Sequence, residues 1–100
     1  MVSVPSDTEP GGGAAPARWR VLLLNDNDTP MEFVVYLLQE LFAMNFDDAK
    51  HFMMHVHHNG VGECGVYAED EAKAKVAAVL ALAREHDHPL RCILEQKRSA

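Results

Sequence analysis

The sequence predicts an α+β domain, a compact sandwich in which a three-stranded antiparallel sheet packs on three helices in the order β-α-α-β-α-β. Three observations carry that expectation. Short apolar runs bounded by turn residues occur at Arg20–Leu24, Val61–Tyr67 and Leu90–Glu95, the pattern of half-buried strands. Between them lie three stretches whose apolar residues recur at helical spacing. The first seventeen residues, MVSVPSDTEPGGGAAPA, contain no Leu, Ile or aromatic residue and hold three of the five prolines and three of the six glycines. Such a segment buries too little surface to offset the entropy of ordering. Residues 1–17 are therefore expected to form a flexible extension, and residues 18–100 the folded domain.

Each element has a local cause. The strand Arg20–Leu24 ends at the polar cluster Asn25-Asp26-Asn27-Asp28. The first helix follows, expected over Pro30 to about Ala43. Thr29 is a favourable N-cap, Pro30 suits the first helical position and Glu32 stands three residues after Thr29, which together spell a capping box. Phe33, Val34, Leu37, Leu38, Leu41 and Phe42 form its apolar stripe. Asn45–Asp48 interrupts the pattern, and Asp47 is expected to cap a second helix from Asp48 to His58, closed by Asn59-Gly60. Val61–Tyr67 is the second strand, thinned by Gly62 and Gly65. Glu69 to about Glu85 is the third helix, with Val76, Val79, Leu80 and Ala83 on its apolar side, and His88-Pro89 stops it. Leu90–Glu95 completes the sheet.

Composition excludes several classes. The chain is 48% hydrophobic and 24% charged, with a formal net charge of −6. No basic stripe is present to neutralise phosphates, so nucleic acid is not the expected partner. The apolar runs are far shorter than a bilayer requires, and no basic segment leads into an apolar one at the N-terminus. A cytoplasmic protein with no membrane partner is expected. Cys64 and Cys92 form no CxxC pair and fall in strands, which suits two reduced, buried thiols.

Two clusters carry chemistry. The second helix holds four histidines. At 100° per residue His51, His55 and His58 share one side, while Ala49, Phe52, Met53 and Val56 share the other; only His57 lies beside the apolar residues. The i, i+4 pair His51/His55 has zinc-compatible spacing. HFMMH nevertheless lacks the glutamate of HExxH, and only His86 or His88 offers an outside ligand, so a solvated face is expected and no metal or other cofactor. His57 fits either a core histidine bonded to backbone or a polar group at the rim of an apolar pocket. The Asn25–Asp28 cluster fits a turn, because Asn and Asp side chains imitate backbone hydrogen bonds. It lacks the spacing and glycine of a calcium loop. No Ser, Thr or Cys stands with an evident base and orienting acid, so no catalytic residue is expected.

Three motifs taken together are specific. N-D-x-x-T-P-M-E-F at Asn25–Phe33, M-x-x-V-H-x-x-G at Met53–Gly60 and H-P-L-x-C at His88–Cys92 occur in one unbroken order. In these the sequence, from about Trp19 to Lys97, closely resembles the ClpS family, bacterial adaptors that deliver N-end rule substrates to the ClpA unfoldase of the ClpAP protease. The resemblance implies a non-enzymatic protein that binds an exposed N-terminal Leu, Phe, Tyr or Trp. It implies that Asn25, Asp26, Asn27 and His57 surround the ligand's α-amino group. Thr29, Met31, Val34, Met53, Val56 and Leu90 would line the side-chain pocket. Because a β-branched side chain is stiff and bulky near its Cα, Met31 is expected to exclude Val and Ile. The resemblance further implies that Tyr67, Asp70 and Lys75 meet the ClpA N-terminal domain, and that the unfoldase engages the extension, which spans at most roughly 60 Å when extended. Asn27 and Asp28 depart from the usual pattern, which more often has a second Asp and then an aromatic residue, so a specialised paralogue with a narrower N-terminal preference is expected. A small histidine-dependent metalloprotein, or another peptide-binding module on the same fold, is the alternative.

The residues themselves support that assignment. Met31 and Val34 are i, i+3 on one helix, and Met53, Val56 and His57 are i, i+3, i+4 on the next, so two faces can meet around one slot. A buried ammonium requires an acceptor for each N–H, and Asn and Asp oxygens supply them.

Overall fold

The computed structural model describes residues 17–97. The expected extension over residues 1–17 lies almost wholly outside the described residues. The elements follow the order β1 (Arg18–Leu24), α1 (Met31–Phe42), α2 (Phe46–Asn59), β2 (Val61–Tyr67), α3 (Glu69–Glu85) and β3 (Arg91–Lys97). The sheet is antiparallel with strand order β2-β1-β3, so the first strand is the central one. The helix α3 packs against all three strands and α1, and α2 packs against α1 and β2.

The strand β1 is central because it pairs along both edges, with β2 and with β3. Val21 and Leu23 point into the core and are 0% exposed. Leu22 points the other way yet is also buried, between its register partners Glu63 and Ile93. Against β2 the register slips between Val21, which faces Gly65, and Leu22, which faces Glu63. Cys64 is the extra residue of this β-bulge, which sharpens the local twist. The core is completed by Phe33, Val34, Val35, Leu37 and Leu38 of α1, Ala49 and Met53 of α2, Ala72, Val79 and Ala83 of α3, and Leu90 and Cys92.

Several boundaries differ from the sequence expectation, each for a visible reason. The strand β1 starts at Arg18 rather than Arg20, because Arg18 and Trp19 pair with Lys97 and Gln96. By the same pairing β3 runs Arg91–Lys97 and leaves Leu90 in the preceding loop. The capping box does not form. Pro30 occupies the N-cap position with extended backbone (φ −62°, ψ 142°) and makes no side-chain cap, while its carbonyl accepts from the Phe33 and Val34 amides at 3.1 and 3.3 Å. The Thr29 hydroxyl donates instead to Asp26 Oδ2 at 2.5 Å; a carboxylate is a stronger acceptor partner than a cap geometry offers. The cap of α2 is Asn45, whose Oδ1 accepts from the Asp48 amide at 2.8 Å, so α2 starts at Phe46 and Asp47 lies inside its first turn. Gly60 closes α2 at φ 84°, a conformation that favours glycine.

Among the described residues, no helix is long and apolar enough to cross a membrane.

Candidate functional site

A cavity of about 250 Å³ opens where the end of β1, the start of α1, the C-terminal half of α2 and the loop before β3 converge. Its walls are apolar and buried: Leu23, Thr29, Val34, Met53, Val56 and Leu90 each expose no more than 7%. Its lip is polar and accessible. Asn25 and Asp26 are half-buried there, and Asn27 and His57 are exposed. Met31, 44% exposed, stands at the lip as its one large flexible apolar side chain.

The lip is held by short-range bonds. The Thr29 amide donates to the Asp26 carbonyl at 3.2 Å, closing a turn with Asn27 and Asp28 at its tip. The Thr29 hydroxyl bond to Asp26 fixes that carboxylate beside the buried threonine. Asn25 Nδ2 donates to Asn27 Oδ1 at 3.3 Å, and the Asn25 amide donates to the Gly60 carbonyl at 3.0 Å. This last bond ties the loop to the C-cap of α2. The polar cluster is thus a turn, and its Asn25, Asp26 and Asn27 line the cavity mouth.

All ten residues expected to form the pocket line this one cavity. Sequence reasoning missed three others, Leu23, Leu24 and Pro30. Pro30 lies between two expected lining residues and could have been found by continuity. Leu23 and Leu24 have no local signal, because which strand residues face a cavity depends on what packs there. His57 is exposed, which removes the core-histidine alternative and leaves the rim position.

The remaining histidines do not assemble. His51, His55 and His58 are exposed on the outer side of α2, where Asn59 Nδ2 donates to the His55 carbonyl at 2.9 Å. His86 and His88 pack instead against the Phe33 ring, with centroids at 5.2 and 4.6 Å. Among the described residues, no group of three or more His, Cys, Asp or Glu side chains is placed to hold a metal ion.

The other three expected contact residues are not among those lining the cavity: Tyr67 ends β2, and Asp70 and Lys75 lie in the first two turns of α3. Asp70 is exposed in its first turn. Tyr67 is half-buried, and its phenol pKa is raised, first by burial and then by the nearby Cys64 and Glu71. Lys75 is more committed than a surface cation would be. Its ammonium donates to the Leu41 carbonyl at 2.7 Å and lies 5.4 and 5.9 Å from the Phe42 and Tyr67 ring centroids. It therefore closes the C-terminal end of α1 and pins it to α3.

An apolar cavity walled by buried residues and lipped by Asn25, Asp26, Asn27 and His57 has the make-up of a small-ligand pocket. Comparison with known proteins identifies the family. The profile of the family described as "ATP-dependent Clp protease adaptor protein ClpS" matches residues 14–93. The ATP-dependent Clp protease adapter protein ClpS of Brucella canis is 55% identical over 82 residues, covering 82% of this chain and 71% of that protein. The adapter protein ClpS 2 of Rhodopseudomonas palustris is 51% identical over 82 residues, covering 82% of this chain and 75% of its own. Among solved structures, Agrobacterium tumefaciens ClpS2 bound to L-phenylalaninamide superposes with a TM-score of 0.81 at 34% identity, covering 83% of this chain and all of that one. The chain belongs to the ClpS family and is a non-catalytic adaptor of the Clp protease.

Proposed function

We propose that the cavity holds the first residue of a substrate protein, taking Leu, Phe, Tyr or Trp, and that the chain passes such N-degron substrates to the ClpA unfoldase of ClpAP in the cytoplasm. The observation that carries this reading is the pairing of a closed apolar wall with an oxygen-bearing lip. A volume of about 250 Å³ falls below the roughly 300–1,000 Å³ of sites for drug-sized ligands, and suits a single side chain with its amino end. The Agrobacterium relative was solved with L-phenylalaninamide, a molecule with one aromatic side chain, one free α-amino group and an amide in the place of the next peptide bond.

In this reading Asn25, Asp26 and Asn27 accept from the α-ammonium, with His57 closing the ring from α2. The carboxylate of Asp26 has lone pairs beyond the one given to Thr29 and carries the charge that offsets the cation's desolvation. Thr29, Met31, Val34, Met53, Val56 and Leu90 enclose the side chain. Each hydrogen bond to a charged group contributes about 1.5–3 kcal/mol, and burial of Leu or Phe about 1.5–3 kcal/mol. After the costs of association this gives affinities on the order of micromolar or better. Methionines adapt to aliphatic and aromatic shapes alike, while Met31 at the lip crowds a side chain branched at Cβ. Asn27 accepts a hydrogen bond but adds no charge, so the residue preference of this chain is expected to differ from that of members with Asp there.

Tyr67 and Asp70 form the proposed contact for the ClpA N-terminal domain. Lys75 belongs to that surface through the ring it supports more than through a free charge.

Fluorescence anisotropy with labelled peptides tests the reading. A Leu-starting peptide is expected to bind, its Ile- and Val-starting versions to bind at least about tenfold more weakly, and its N-acetylated twin not to bind. Equal affinity of the acetylated and free peptides would show that the lip does not recognise an ammonium.

A further inference from the structure

We propose that a groove beside the cavity is a second subsite, which takes an apolar and preferably aromatic side chain from position 2, 3 or 4 of the same bound peptide. The proposal rests on the reading that the cavity holds the peptide's first residue. The groove lies between α1 and α2, measures about 360 Å³, and is walled by Met31, Val35, Tyr36, Phe46, Met53 and Met54. Three of these are large side chains left in solvent: Met31 is 44%, Tyr36 45% and Phe46 56% exposed. A contiguous apolar patch of this kind marks a surface that something covers.

Its position says what covers it. Met31 and Met53 line both the groove and the cavity, so the two share those side chains as a common wall. A first residue whose ammonium meets Asn25–Asn27 must send its carbonyl out past the lip where Met31 stands. At roughly 3.3 Å per residue, an extended peptide that crosses this wall brings one of its next few side chains over the groove. The chemistry of the walls fits such an occupant. Three of the chain's five methionines are here, and thioethers accommodate varied apolar shapes and make favourable contacts with aromatic rings. Glu32 and Lys50 border the groove with opposite charges, so selection there rests on apolar area, not on the sign of a charge. Adaptable walls suit a site that receives many different sequences.

Peptides beginning with Leu and followed by alanines, and the same peptides with Phe at position 2, 3 or 4, test this on the full chain by competition anisotropy. One Phe position is expected to tighten binding about five- to ten-fold. The gain is expected to shrink below about two-fold in the Tyr36→Ser/Phe46→Ser variant, whose two sites are exposed, while that variant binds the all-alanine peptide as the parent does. Equal affinities for all four peptides overturn the proposal, as does a gain that survives in the variant. Self-association of the chain that the variant loses, with no peptide preference, would assign the groove to a second copy and also overturn it. The two readings separate cleanly. If acetylation leaves the all-alanine peptide's binding intact, the cavity reading falls and the subsite with it. If acetylation abolishes binding and Phe adds nothing, only the subsite falls.

Discussion

His57 and His55 sit two residues apart on α2 and have opposite surroundings. His57 lines the cavity mouth; His55 lies on the outer side, within 3.0 Å of Asn59 Nδ2. Replacing His57 with alanine is expected to weaken binding of a Leu-starting peptide by about tenfold, the equivalent of one hydrogen bond to a charged group. His55→Ala is expected to change it less than about twofold. A titration in which both variants lose equally would contradict the assignment of faces. Thr29 shows a related point. Its hydroxyl could cap a helix or bind a carboxylate, and it binds the carboxylate, which turns a helix-start signal into part of the cavity wall.

At the scale of elements, β2 approaches α2 so closely at Gly62 that a Cβ there would lie 2.7 Å from Val56 Cγ2 and 2.8 Å from Phe52 Cζ. The glycine is a spacing device, and Val56 is the cavity wall it spares. Gly62→Ala is expected to push Val56 toward the slot, to lower stability by about 1–3 kcal/mol, and to weaken Trp-starting peptides more than Leu-starting ones. A lower melting temperature with an unchanged Trp-to-Leu affinity ratio would show that the strand and the slot are not coupled. Much of this level was legible in sequence, because its causes are local. The helix Glu69–Glu85 and the strand Val61–Tyr67 have the expected bounds, set by turn residues and apolar spacing. What was not legible depends on partners distant in the chain. The early start of β1 needs Gln96 and Lys97. Leu90 reaches the cavity because β3 pairs Cys92 with Leu23 and Arg91 with Leu24, a register no local pattern encodes. For that residue only the family resemblance gave a pointer. The helical spacing of Met31 with Val34, and of Met53 with Val56 and His57, gave the rest of the gathering around the slot.

Over the whole molecule, the sheet ties stability to two protonated thiols. Cys92 is buried, and its pKa is raised to about 11 by burial. Cys64, on the bulge, is only half-buried by exposure yet is raised further, to about 12. Burial is the main cause, and repulsion from a charged Cys92 and from Glu63 adds to it. The unfolded chain would release these protons near the ordinary value of 9.0, where the folded protein still holds them. Their contribution to stability is therefore full below about pH 9 and is lost as pH rises through the folded values. Melting temperatures are expected to be level in this respect from pH 7 to 9 and to fall above that. The Cys64→Ala/Cys92→Ala variant is expected to fall less steeply, whatever its starting stability. An equally steep decline in that variant would place the alkaline sensitivity elsewhere. Both thiols are also expected to resist alkylation at pH 8, because the reactive species is the thiolate.

The central place of β1 has a mechanical meaning. Its two ladders meet any tension drawn along it from Arg18 at once, and its far end is the root of the 25–29 turn. A slip of one residue would turn every inward side chain outward, unseat Leu23 from the cavity floor and drag the turn away from Gly60. Cavity and fold thus share a single hinge point: the floor at Leu23 and the 25–29 turn both depend on the seating of the middle strand.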